Sequence, residues 1–201
     1  MIKRVFAVTT FALIAACGQS PAEPVPLAQG SWSVDAAASS LSYVSVKSGE
    51  IAESNTISGL SGSVTADGAA NIEIDLSTVE TKVDIRNERM RDIFFNVAQF
   101  PKASVTAQID PAAFETLGVG ESVTQPLEAT LTLKGVEAPV DTQVSVTRIA
   151  EDRVLAATTE PVIVYADALE LTEGLATLQE LAGLPSITPV VPVSFSITFQ
   201  R

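Results

Sequence analysis

The stretch Leu127-Glu128-Ala129-Thr130-Leu131-Thr132-Leu133-Lys134 alternates apolar and polar residues without a break. In an extended strand, successive side chains point to opposite faces. The spacing therefore puts Leu127, Ala129, Leu131 and Leu133 on one side and Glu128, Thr130, Thr132 and Lys134 on the other. A helix would scatter both sets around its circumference. One aliphatic face and one Ser/Thr/Glu face is the mark of an antiparallel strand with one side in water.

The same period recurs on either side. Ile72, Ile74 and Leu76 alternate with Glu73, Asp75 and Ser77, and Val140, Val144 and Val146 continue the theme. Near the C-terminus Val191, Val193, Phe195, Ile197 and Phe199 alternate with Ser194, Ser196 and Thr198. Further strands are expected near 32–36, 40–47, 56–66, 102–109 and 152–165, set apart by punctuation such as Ala66-Asp67-Gly68. About eight strands so spaced predict a closed barrel or a sandwich.

Two segments break the pattern. Within 86–98, Met90, Ile93, Phe94 and Val97 fall at helical spacing, with Arg86, Glu88, Arg89, Arg91 and Asp92 on the far side and Pro101 just beyond. Within 171–182, Leu171, Leu175, Leu178 and Leu181 form a second stripe that Gly183 should end. Both read as short amphipathic helices that pack on the barrel or cover one mouth. Core packing is enough to explain each stripe.

The N-terminus reads as an export and anchoring segment. Met1-Ile2-Lys3-Arg4 is basic, and the apolar run from Val5 to Ala16 is too short to cross a bilayer as a helix. It ends Leu13-Ile14-Ala15-Ala16-Cys17, which resembles the lipobox of bacterial lipoproteins. Residues 1–16 are thus expected to be a lipoprotein signal peptide, with lipidation at Cys17. An ordinary signal peptide with an incidental cysteine is the alternative. Cys17 is the only cysteine, so no intramolecular disulfide is available. Residues 17–30 hold the anchor and a proline-rich tether, and residues 31–201 form the domain. The expected location is the bacterial envelope, facing the periplasm. By the sorting rule of enteric bacteria, Gly18 points to the outer membrane rather than the inner.

Composition narrows the function. Removing the signal segment takes away Lys3 and Arg4 and leaves ten basic residues against 24 acidic ones. Such a charge repels phosphate backbones, so no nucleic-acid partner is expected, and attachment to membranes must come from the lipid. The chain has no histidine, which removes the commonest general base and metal ligand. With Cys17 committed to lipid, no thiol site remains. Carboxylate pairs such as Asp35 with Glu50, or Asp84 with Glu88, are ordinarily explained as solvated acids. No catalytic residue, metal site or cofactor is expected, and the reading is a non-enzyme.

Five pieces carry a resemblance to a known family. They are Trp32-Ser33-Val34-Asp35; Ser39-Ser40-Leu41-Ser42-Tyr43; and the run from Arg86 to Val97 followed by Phe100-Pro101. The others are Leu131 to Val136 with Pro139-Val140, and the closing Val191 to Phe199. In this order, over residues 31–201, they resemble the YceI-like family. The resemblance implies an all-β fold, an eight-stranded antiparallel lipocalin-like barrel with two short amphipathic helices. It also implies exported proteins that hold a long isoprenoid or other amphiphilic chain, without cofactor chemistry. Three departures bear on the ligand more than on the fold, one of them a stretch before Phe94-Phe95 that is one residue shorter than the common pattern. Arg89 stands where many members have histidine, and Ala166-Asp167-Ala168-Leu169 replaces the usual Asp-Phe-Gly-Leu.

The candidate ligand wall is Ile72, Ile74, Leu131, Leu133, Phe94 and Phe195. Trp32 and Tyr43 either line the same pocket or plug one end of the barrel. Arg86, Arg89 and Arg91 form a basic cluster that either holds a polar headgroup or is explained by Glu88 and Asp92 pairing with Arg91 or Arg89 at helical spacing. The expected function is non-catalytic carriage or sequestration of an isoprenoid-like amphiphile, such as a polyprenyl chain, a quinone or a fatty-acid derivative. The alternative is a structural or interaction module of the envelope with a filled barrel core and a protein partner of unknown kind.

Overall fold

A computed structural model describes residues 30–201; the signal segment 1–16, Cys17 and the tether as far as Gln29 lie outside the described residues. Ten antiparallel strands follow one another. They are β1 (Trp32–Val34), β2 (Ser40–Lys47), β3 (Ile51–Val64), β4 (Ala69–Glu80), β5 (Lys102–Gln108), β6 (Ser122–Leu133), β7 (Val136–Ala150), β8 (Arg153–Thr158), β9 (Val162–Tyr165) and β10 (Val190–Gln200). Eight of them close a ring in the order β10-β2-β3-β4-β5-β6-β7-β8 and back to β10. The other two extend existing staves. A 3₁₀ turn at Ala36–Ala38 separates β1 from β2, and β1 pairs with the last residues of β10 and β3. Beyond Thr158 the stave continues as β9, which lies along the first half of β10. The single strand expected over 152–165 is thus broken, because Pro161 has no N–H for a ladder.

The ring has two ends. Its upper end carries the β2–β3 turn and the end of β4; its lower end carries the β3–β4 and β7–β8 turns. At the upper end, the chain turns out of β4 through Lys82 at positive φ into α1 (Asp84–Arg89). Asn87 clamps this corner. Its buried Oδ1 accepts from Thr81 N at 2.8 Å and Thr81 Oγ1 at 2.6 Å, and its Nδ2 donates to Glu80 Oε1 at 3.1 Å.

The helix expected across 86–98 does not continue as α. Met90–Phe95 is a π turn that ends at Asn96 in the left-handed region. The wider turn rotates the following side chains, so Phe95 is buried at 6% exposure while Ile93, which the α spacing placed inside, is 40% exposed. The second helix, α2 (Thr172–Leu181), falls where its leucine stripe placed it, and Gly183 follows at φ 62°. It packs close against the π turn, because Gly174 offers Phe94 no side chain to meet.

The lower end is held by Arg148 on β7, which is 1% exposed. Its guanidinium donates to the carbonyls of Leu117 at 3.1 Å, Glu151 at 3.1 Å and Ala150 at 3.3 Å, joining the 109–121 connection to the β7–β8 turn. Sequence pattern gave this residue no role. Replacing it with methionine leaves those acceptors without their donor. Arg148→Met is expected to cost about 3 kcal/mol, read as a lower denaturation midpoint by circular dichroism, with binding at the far end unchanged.

Candidate ligand-binding cavity

The inward side chains of β2, β6 and β10 are only half-buried along much of their length, although these strands lie within a closed ring. They face an interior space. A cavity of about 610 Å³ occupies the upper part of the barrel, within the range of small-molecule sites. Its wall is aliphatic, built from Leu41, Ile57, Ile74, Val105, Leu131, Leu133 and Val193 with Phe195. The filled-core alternative does not describe this barrel.

A second cavity, of about 310 Å³, lies at the lower end. On β10, Phe195 lines the upper space and Phe199 the lower, while Ile197 between them lines neither. On β3, Leu60 stands likewise between Ile57 and Val64. Leu60, Ile72 and Ile197, at 2%, 9% and 6% exposure, form the floor that separates the two.

The structure therefore brings together Tyr43, Ile74, Arg86, Arg89, Phe94, Leu131, Leu133 and Phe195 around the upper cavity. It does not bring the remaining two candidates there. Ile72 belongs to the floor, one inward position below Ile74 on β4. Trp32 is buried against the lower cavity beside Val64 and Phe199, since β1 pairs only with the lower ends of β3 and β10. Of the carboxylate pairs, Asp35 caps the 3₁₀ turn at the lower end and is bonded to Arg153, far from Glu50 in the β2–β3 turn.

The stripe on α2 does more than fill a core. Leu171, Leu175, Leu178 and Leu181 all line the upper cavity, so α2 forms its roof beside Met90 and Phe94. The opening lies where lining residues reach solvent, at Val83, Ile85 and Leu181, which are 43%, 52% and 45% exposed. The rim is apolar. The cavity also reaches Asp141, Thr142 and Val162, along a seam where β9 pairs with β10 but not, among the described residues, with β7.

One wall below the rim is polar. Glu53 Oε2 accepts from Arg86 Nη1 at 2.6 Å and from Lys47 Nζ at 3.0 Å. Arg86 Nη2 donates to Thr81 O at 2.5 Å, which fixes the guanidinium. Arg89 donates to Leu181 O at 3.1 Å and so joins the π turn's approach to the end of α2. The helical pairings considered for Arg89 and Arg91 do not form: among the described residues Glu88 and Asp92 make no ion pair. Sequence spacing missed Glu53 because its partner Arg86 is 33 residues away.

Burial opposes the charge on Glu53, yet hydrogen bonds from Arg86 and Lys47 outweigh it and hold the carboxyl below its ordinary value. Tyr43 faces the same polar wall. Burial pushes its hydroxyl up to about 12, against the opposing pull of the Arg86 charge. A carboxyl whose folded pKa is lowered stabilises the fold above its unfolded pKa, and that support is lost as the pH falls through the folded value. The melting temperature of wild type minus that of Glu53→Gln should thus be positive at neutral pH and shrink on acidification through the carboxylate range. A difference that stays flat with pH would dismiss the triad as a brace.

Relatives share this architecture. The YceI-like domain family matches residues 32–199. A polyisoprenoid-binding domain from Saccharophagus degradans, implicated in plant cell wall breakdown, is 38% identical with a TM-score of 0.82, over 86% of this chain and 99% of that one. BcnA of Burkholderia cenocepacia shares the fold at 18% identity and a TM-score of 0.63, over 82% of this chain and 98% of its own. Among curated proteins no match is found. An eight-strand ring with this order of elements, matched from the first strand to the last, settles the kinship: the chain belongs to the YceI-like family.

Proposed function

We propose that the upper cavity takes up the hydrocarbon chain of an isoprenoid-like amphiphile, and that the protein carries or sequesters it at the bacterial envelope without chemical conversion. The observation that carries this reading is the aliphatic cavity of about 610 Å³ opening through an apolar rim. Burying roughly 400–800 Å² of hydrocarbon gains on the order of 10–20 kcal/mol before costs. Ordering a flexible chain and losing translational freedom offset most of it, which leaves micromolar or better affinity. The polyisoprenoid-binding description of the Saccharophagus degradans domain supports the same ligand class. Lipidation of Cys17, after removal of residues 1–16, would fix the domain to the periplasmic face of the outer membrane. No catalytic group, metal or cofactor enters this function.

The test is lipid extraction and mass spectrometry of the protein purified from its native host. A stoichiometric amphiphile with a long branched or isoprenoid chain is expected. An empty extract, together with no rise in melting temperature on adding a polyprenol, would overturn the proposal.

A further inference from the structure

The polar wall holds two buried atoms without a partner among the described residues, Asn55 Oδ1 and Arg86 Nε. Both residues line the upper cavity. Asn55 is 2% exposed, and its amide is oriented: Nδ2 donates to Ser45 Oγ at 3.0 Å and Glu53 O at 3.2 Å, which leaves Oδ1 as the free end. Arg86 is fixed through its two terminal nitrogens, to Glu53 and Thr81, which leaves the Nε hydrogen free. The two residues share a neighbourhood. Glu53, bonded to Arg86, stands two positions from Asn55 on the same face of β3, and Tyr43, within reach of the Arg86 charge, is the cross-strand partner of Asn55.

A buried acceptor and a buried donor, both unmatched, ask for one group that can donate and accept together. A carbonyl answers only Arg86. A diphosphate has no proton for Asn55 to accept, and its charge would meet a site where Glu53 already offsets one of the two cations, Lys47 and Arg86. A hydroxyl answers both. Resting on the carrier reading above, we propose that the polar end of the bound amphiphile is a neutral hydroxyl, as in a long-chain prenol, which donates to Asn55 Oδ1 and accepts from Arg86 Nε.

The experiment compares geranylgeraniol, geranylgeranial, geranylgeranyl diphosphate and the matching hydrocarbon by displacement of a fluorescent fatty acid from the domain. The alcohol is expected to bind about ten-fold more tightly than the aldehyde or the diphosphate, the loss that one unmatched buried group brings. Asn55→Leu should remove the preference between alcohol and aldehyde while hydrocarbon binding persists. Equal binding of alcohol and aldehyde by the wild type, the result if a water molecule bridges the two atoms, would overturn the headgroup assignment, as would tighter binding of the diphosphate. Failure of all four to bind, the hydrocarbon included, would instead overturn the carrier reading.

Discussion

Leu131→Arg is expected to abolish uptake of a long isoprenoid chain, lowering affinity by more than about a hundred-fold, because a buried charge without a partner costs several kcal/mol. Leu131 sits near the upper end of β6, opposite Val105 on β5 and Ala138 on β7, and its side chain lines the upper cavity. A guanidinium there must either keep its water inside the cavity or give it up, and each course leaves less room for hydrocarbon. The fold itself will weaken, so a second variant separates the effects. Ala129→Trp, one inward position away on the same strand, fills the same space without charge. It should block uptake while keeping most of the stability. Displacement of a bound fluorescent fatty acid reads both variants. Full loading of Leu131→Arg would mean that this face is not the ligand wall.

Cys17→Ala is expected to move the protein from the membrane fraction to the soluble one, or to leave it as an uncleaved precursor. Each buried CH₂ of an acyl chain adds about 0.8 kcal/mol to membrane binding, and stable anchoring takes more than one chain. Removing the acceptor thiol removes all of them, and the acidic domain has no electrostatic substitute. Fractionation with intact-mass measurement decides it: normal processing with unchanged membrane partition would refute the anchor.

The strands were legible in the sequence because alternation is local; alternation left barrel and sandwich open alike, and the closure of the ring was implied only by the family resemblance. Leu127 to Lys134 announces its two faces whatever the rest of the chain does. The helices were legible in outline. The π turn was not, since Met90, Ile93, Phe94 and Val97 satisfy an α period equally well, while the wider turn buries Phe95 and sets Phe94 against Gly174 of a helix some eighty residues on. Whether the barrel was hollow could not be read, because Val, Leu and Ala suit a packed interior and an open one alike. The polar wall depends on pairs such as Arg86 with Glu53 that are distant in the chain. Trp32 and Ile72 carried the right chemistry for a ligand wall, but strand register placed one below the floor and the other within it.

Gly30 enters the barrel beside the lower cavity, whereas the apolar rim crowns the other end. If Cys17 carries the lipid proposed above, the thirteen residues from Gly18 to Gly30 allow a contour of at most about 45 Å between membrane and barrel. The fifteen residues of β7, tilted as barrel strands are, give the domain a height of roughly 40 Å. Contour and height nearly match. Under the proposed anchoring the doorway would open at the end of the barrel remote from Gly30, and bringing it to the bilayer that carries the anchor would take nearly the whole contour of the intervening chain.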